Sequence, residues 1–269
     1  MTPRNHWLSV IGLLVMLAAC QPQPPATIPT LIPSIDALAT SVMMTENAPP
    51  VGFRESVSFE RIDQHLRQLE GWRYTVRLDF DGLFSQTSRE TSATAEATVW
   101  FNQVGDARRV LVESNGELFQ RTAVEQFEAV QLGPDAFLVR RGVCLSNAVA
   151  DARLAASLSA ADLVGGVRRS IPTGRRERIN GADVWEYNFL VEDVSLPSVR
   201  FAEDTRITRF SGELWVDPVH NAAVRYYVTL SIENARLLES TLPVSGDLRL
   251  RYDLYDIGQI PNISVPFGC

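Results

Sequence analysis

From Trp72 to Asp81, apolar and polar side chains alternate without a fault over ten residues. A period of two belongs to an antiparallel strand with one buried and one wet face. Just before it, Phe59, Ile62, Leu66 and Leu69 fall three or four apart, and Gly71 follows. This spacing predicts a helix that Gly71 ends from the C′ position. Downstream the two-residue period keeps returning. Ala95, Ala97, Val99 and Phe101 share a face, and Val110 to Val112 reads as the next strand. Asn115-Gly116 predicts a type I′ hairpin, and Asn180-Gly181 a second one leading into Trp185, Tyr187 and Phe189. Residues 118–132 and 136–140 flank a Gly133-Pro134-Asp135 turn. Phe210, Gly212, Leu214 and Val216 alternate up to an Asp217-Pro218 turn, and two more sets follow, Val224 to Ile232 and Leu248 to Leu254. Between Cys144 and Gly165, Ala and Leu dominate, Ser159 stands where an N-cap would, and Gly165-Gly166 stops the run. These elements predict a mainly β, α+β fold: about nine to eleven antiparallel strands, an N-terminal helix and a central helical insert. There is no βαβ alternation and no fixed internal repeat.

The N-terminus follows a different pattern. A basic start at Arg4 leads into an apolar run, Trp7 to Ala19, that ends in small residues and a cysteine. That is the layout of a secretory signal. Leu17-Ala18-Ala19-Cys20 resembles the lipobox of bacterial lipoprotein signals. The resemblance implies diacylglyceryl transfer to the Cys20 thiol and cleavage after Ala19. As a helix the run rises about 20 Å, short of the roughly 30 Å needed to cross a bilayer. Residues 21–52 hold seven of the fifteen prolines and no periodic pattern, as a semi-extended tether does. The expected organisation is a signal over 1–19, a lipidated Cys20 with its tether over 20–52, and one domain over 53–269. The expected location is the extracytoplasmic face of a bacterial membrane, whether cell membrane or outer membrane. The lipid anchor is the membrane contact, and the protein is expected to be a monomer.

Charge and composition narrow the chemistry. The formal net charge is −7, which repels phosphate backbones, so nucleic acid is not an expected partner. All 25 basic residues are arginine. Without lysine there is no Schiff base, lysine general base or P-loop. Once Cys20 is assigned to the lipid, Cys144 and Cys269 remain, an even pair in an oxidising compartment. A disulfide between them is expected, two free thiols being the alternative. Two cysteines with only His65 and His220 beyond the signal do not complete a zinc site. Asp79, Asp81, Asp253 and Asp256 sit on wet strand faces or near strand ends, too few together for the six or more oxygens calcium takes. His220 stands near Asp217 with no marked nucleophile. No nucleophile elbow, zinc-protease or Ser-x-x-Lys pattern occurs. The reading is non-enzymatic, without cofactor, metal or catalytic residue.

Two strings carry a family resemblance. Arg178-Ile179-Asn180-Gly181-Ala182-Asp183-Val184-Trp185-Glu186-Tyr187-Asn188-Phe189 is similar to a hairpin of the bacterial lipoprotein-carrier superfamily, which includes the Lol-type carriers (LolA/LolB) and the LppX/LprG-type lipid-binding lipoproteins. Gly212-Glu213-Leu214-Trp215-Val216-Asp217-Pro218, followed by Ala223-Val224-Arg225, resembles that superfamily's strand–turn–strand. The resemblance covers roughly 55–269, and its motifs are structural, not catalytic. It implies a curved, incompletely closed barrel with helices on the concave face and acyl chains held between them. Trp72, Tyr74, Phe80, Phe101, Trp185, Tyr187, Phe189 and Leu214 are then the candidate cavity lining, a packed core being the alternative. The function implied is binding of lipid or an acylated ligand, in envelope lipid or lipoprotein trafficking. The competing reading is a structural or protein-interaction module of the cell envelope with a filled interior.

Overall fold

The computed structural model describes residues 51–269 apart from 88, 120 and 239. The signal, Cys20 and most of the tether lie outside the described residues. In chain order the strands are β1 (Val57–Phe59), β2 (Gly71–Phe84), β3 (Glu90–Asn102), β4 (Ala107–Gly116), β5 (Arg121–Leu132), β6 (Asp135–Arg140) and β7 (Val143–Cys144). Two helices follow, α1 (Val149–Ala156) and α2 (Ala160–Val164). The chain then continues through β8 (Gly166–Ile179), β9 (Ala182–Asn188), β10 (Val194–Ser195), β11 (Val199–Arg200), β12 (Arg206–Asp217), β13 (Ala222–Leu237) and β14 (Val244–Tyr255). Ten strands have six residues or more and four have two or three, so the expected nine to eleven corresponds to the long ones.

All fourteen form one curved, open antiparallel sheet. Its path runs β1-β8-β9-β12-β13-β14-β2-β3-β4-β5-β6-β7, with β10 on β8 and β11 on β13. The alternation of β2 sets its register. Trp72, Tyr74, Val76, Leu78 and Phe80 are buried, whereas Arg73, Arg77 and Asp79 face outward. The same face continues through Tyr226, Val228, Leu230 and Ile232 of β13 and Leu248, Leu250, Tyr252 and Leu254 of β14. This inner face is the core. α2 packs on β2 and β14, and α1 lies on β5 and β6, where Ala152 and Ala156 meet Ala129, Ala136 and Leu138. The helical insert therefore covers the inner face as expected. Ser159 caps α2 with a reciprocal box: its Oγ accepts from Ala161 N at 3.2 Å, and Asp162 Oδ2 accepts from Ser159 N at 3.2 Å.

The N-terminal helix is not formed. Val57 pairs with Ser170, Ile62 N donates to Gly165 O at 3.0 Å, and only Leu66–Gln68 makes a 3-10 turn. His65 stands at φ 70°, a left-handed conformation that breaks an α-helix. Phe59, Ile62 and Leu66 are nonetheless buried. The three-and-four spacing marks inward positions correctly, but Phe59 pairs with β8 and Ile62 N bonds to Gly165 O, while Leu66 and Leu69 close only a single local turn. Asn180-Gly181 does form the tight hairpin, with φ of 51° and 88° and Ile179 facing Ala182. Asn115-Gly116 does not. Gly116 ends β4 after an irregularity in register, and the 3-10 turn Glu117–Phe119 makes the link. Cys144 and Cys269 are joined, with Cα atoms 5.3 Å apart across 125 residues. The bond ties the C-terminal strap to β7 at the sheet edge.

Candidate functional site

A row of aromatic rings crosses the inner face. Phe101 stacks on Trp72 and Trp72 on Tyr74, with centroids 5.2 Å apart in each pair. Tyr74 meets Tyr252 at 5.4 Å. Tyr252 is the direct cross-strand partner of Tyr226. Tyr226 meets Phe189 at 5.8 Å, and Phe189 meets Phe210 at 5.9 Å. Alternation produces most of this row, because Phe101, Trp72, Tyr74, Tyr252, Tyr226 and Phe210 occupy inward positions of their strands and the register aligns them, while Phe189 follows the end of β9. Trp72 Nε1 donates to Leu66 O at 2.9 Å, and Tyr74 OH donates to Leu158 O at 3.3 Å. Arg108 Nη2 donates to Tyr74 OH and to Leu158 O. The hydroxyls of Tyr226 and Tyr252 are buried and have no hydrogen-bond partner among the described residues.

Of the eight residues proposed as cavity lining, Trp72, Tyr74, Phe101 and Phe189 belong to this row. Trp185 and Tyr187 form a second group around Phe53, at 4.6 and 6.5 Å. Phe80 and Leu214 lie elsewhere in the same core. Trp72, Tyr74, Phe80, Tyr187 and Leu214 are at most 2% exposed, whereas Phe101, Trp185 and Phe189 are half-buried. The eight share a face but do not gather round one pocket. Tyr226, Tyr252 and Phe210 belong with them, and their own alternation marked them as inward-facing.

Two pockets open at the ends of the row. At the Phe101 end, one of about 320 Å³ is polar, with Arg61, Asp63, His65, Arg67 and Arg108 around Trp72. At the Phe189 end, one of about 390 Å³ has Ile171, Phe189 and Leu190 as its apolar wall, with Arg169 and Asp193 beside them. The sheet itself makes this second opening. β9 stops at Asn188 and pairs with β12 only at Leu214–Val216, so residues 206–213 of β12 have no β9 partner. Phe189 fills part of that notch. Its ring lies against Gly212, where an added Cβ would come within 2.3 Å of Cζ. Ile171 and Leu190 remain 53% and 61% exposed at its rim.

The outer face carries ion pairs. Asp79 pairs with Arg77, Asp253 with Arg225 and Asp256 with Arg73, so these carboxylates are neutralised by arginine. Asp253 also accepts from Tyr227 OH at 2.6 Å. Asp217 Oδ2 is 2.5 Å from His220 Nδ1, and Asp217 Oδ1 takes the Val219 N–H of the turn. Among the described residues no group of three or more His, Cys, Asp or Glu is placed to hold a metal. No helix among them is long and apolar enough to cross a membrane.

Burial raises the pKa of Tyr74, Tyr187, Tyr226 and Tyr252. Tyr227 is pushed up to about 12, first by burial and then by its bond to Asp253. An unfolded tyrosine ionises near pH 10, so above that the folded state holds more protons than the unfolded one. Stability is therefore full below pH 10 and is lost as pH rises through about 12. Tyrosinate absorbance at 295 nm is expected to lag free tyrosine and rise together with loss of the sheet's circular dichroism. Five of the six tyrosines titrating near pH 10 with the fold intact would contradict this burial.

No protein-family model matches the chain, and no curated protein matches it. Solved structures give partial similarity. LprF from Mycobacterium bovis is 10% identical with a TM-score of 0.36, over 78% of this chain and 94% of that one. A DUF1329 family protein from Desulfovibrio piger is 10% identical with a TM-score of 0.20, over 71% and 86%. An outer membrane lipoprotein-sorting protein domain from Vibrio parahaemolyticus is 12% identical with a TM-score of 0.19, over 70% and 84%. No residue role passes from these proteins to this chain.

Proposed function

We propose that this protein is an extracytoplasmic lipoprotein, anchored through Cys20, whose β domain takes an acyl chain at the notch beside Phe189 and serves lipid or lipoprotein traffic at the envelope. The observation that carries the reading is the notch: an apolar opening where β12 lacks a β9 partner, ending on a ring that abuts the buried face. The Cys144–Cys269 bond supports an oxidising location. A sixteen-carbon chain gains about 10 kcal/mol gross at about 0.8 kcal/mol per methylene. Association costs about 4–15 kcal/mol. A chain held only at the rim would therefore bind weakly, and Phe189 must swing aside to admit its length.

A second reading has its own observation. Five of the eight candidate lining residues are sealed by the protein's own side chains, as in a structural or partner-binding module. Lipid extraction of the purified full chain, followed by mass spectrometry, separates the two. Acyl lipid beyond the anchor is expected at near one per protein, falling at least tenfold in Ile171→Asp/Leu190→Asp. Cys20→Ser is expected to abolish palmitate labelling and membrane pelleting while leaving the bound lipid. A chain that carries no such lipid, and takes up none when supplied, belongs to the second reading.

A further inference from the structure

Among the described residues, the half-buried arginines are Arg73, Arg108, Arg109 and Arg225. A guanidinium drawn partly out of water needs a counter-ion, because desolvating it unpaired is costly. Arg73 pairs with Asp256, Arg109 with Glu128 and Arg225 with Asp253, each at 2.9 Å. Arg108 has no carboxylate at ion-pair distance among the described residues. Neutral groups fix it instead. Its Nη2 donates to Tyr74 OH at 3.3 Å and to Leu158 O, and its guanidinium carbon lies 5.6 Å from the Trp72 ring centroid. Its Nε is buried without a hydrogen-bond partner. A cation held this way gives up little further freedom when it gains a ligand.

Arg108 lines the pocket of about 320 Å³ at the Phe101 end of the aromatic row, and the segment from Arg61 to Gln68 supplies much of the remaining wall. Two of the other charges there are already engaged. Arg61 Nη2 pairs with Asp162 at 3.1 Å. Asp63, the acidic side chain of the lining, accepts from Ser159 Oγ at 2.6 Å and from Ala160 N at 2.9 Å. Arg67 is exposed and makes no side-chain hydrogen bond or ion pair among the described residues. Arg67 and Arg108 thus line one opening with no carboxylate paired to either, in a chain whose net charge is −7.

We propose that Arg67 and Arg108 bind a phosphate group in this pocket, with the Gln68 amide beside them. A guanidinium fork matches two phosphate oxygens at once. Two forks use more oxygens than a carboxylate offers, whereas a tetrahedral phosphate can serve both. A lipid head group and a soluble phosphate ester present the same oxyanion. The site lies at the other end of the row from the Phe189 notch and does not depend on the acyl-binding reading.

The test is equilibrium dialysis of the full chain, in a non-ionic detergent, against radiolabelled orthophosphate. Binding near one phosphate per protein is expected at millimolar concentration or below. Arg67→Gln and Arg108→Gln are each expected to weaken it at least tenfold, the scale of one charge-assisted hydrogen bond. Arg67→Gln breaks no existing bond, so its result stands even if Arg108→Gln disturbs the fold. Arg249→Gln, which removes an exposed arginine outside the pocket, is expected to leave binding unchanged. Glycerol phosphate and a short-chain phosphatidylglycerol then compete for the site. Displacement by the lipid at a tenfold lower concentration would identify a head group as the source, and equal displacement a soluble ester; both support the site. Acetate competing as well as glycerol phosphate would overturn the assignment to phosphate. No phosphate bound at millimolar concentration, undiminished binding by Arg67→Gln, or an equal loss in Arg249→Gln would overturn the site itself. Each of these would leave the acyl-binding reading to stand or fall on its own lipid content.

Discussion

Replacing Cys144 and Cys269 with serine is expected to lower the melting temperature by about 4–20 °C. The bond closes a loop of 125 residues, for which the chain-entropy account gives about 5 kcal/mol, and observed losses run about 2–5 kcal/mol. In a domain of this size each kcal/mol shifts the midpoint by about 2–4 °C. The structure also says where the loss begins. The C-terminal strap leaves β14, donates from Gly258 N to Gly71 O at 2.9 Å, and accepts from Asn102 Nδ2 at Pro261 O at 3.1 Å. Beyond Pro261 it is largely exposed, with Phe267 almost fully so. Its far end is held by the disulfide to β7, a two-residue strand at the edge of the sheet. Without the bond, the strap and β7 should fray before the centre of the sheet opens. Calorimetry with and without reductant gives the midpoint. Hydrogen exchange should show protection lost first over 143–145 and 262–269. A midpoint unchanged to within 2 °C would mean that packing alone holds the strap.

The parts of this fold legible in the sequence are those fixed by local chemistry. Ten alternating residues from Trp72 set the inward face of β2, and every later strand repeats that logic. Asn180-Gly181 turns as it does because both residues accept positive φ. Ser159 and Asp162 cap α2 because their side chains reach the first-turn N–H groups and each other's backbone. The N-terminal segment departs from the expected helix because inward spacing of three and four does not specify the backbone. Val57 and Phe59 pair with β8 and Ile62 N donates to Gly165 O, which leaves only short local turns from Arg61 to Leu69. At Asn115-Gly116 the turn residues are right, but a register irregularity moves the reversal to 117–119.

The candidate site was half legible. Trp72, Tyr74, Phe101 and Phe189 were named as one face, and the structure joins them through Tyr226 and Tyr252. Alternation identifies an inward ring. It does not say which hydroxyls find acceptors, since Leu158 O and Arg54 O come from distant segments. Nor does it reveal the notch, which exists because β9 is shorter than β12, a fact of non-local pairing.

Gly246→Val is expected to destabilise the domain by about 3 kcal/mol or more. Gly246 and Gly82 face each other across β14 and β2. A Cβ on Gly246 would come within 2.3 Å of Asp81 O, and one on Gly82 within 2.2 Å of Ser245 O. The obstructing atoms are backbone, so no rotamer change relieves the overlap and the strands must part. Glycine inside a strand marks such a close approach. Overpacking of a core costs about 1–3 kcal/mol where side chains can shift, and here they cannot. The ring of Phe80 adds a second obstacle at Gly82, with Cζ 2.8 Å from the added atom. Gly105→Ala is the control. Its nearest neighbours are the side-chain atoms of Asn102, at 3.3 Å or more, in an exposed turn, so its effect should stay within about 0.5 kcal/mol. Urea unfolding followed by circular dichroism measures both. A Gly246→Val midpoint equal to the parent's would mean that β2 and β14 are not held this close. The inner face would then lose its basis, because the Tyr74–Tyr252 contact spans this same pair of strands.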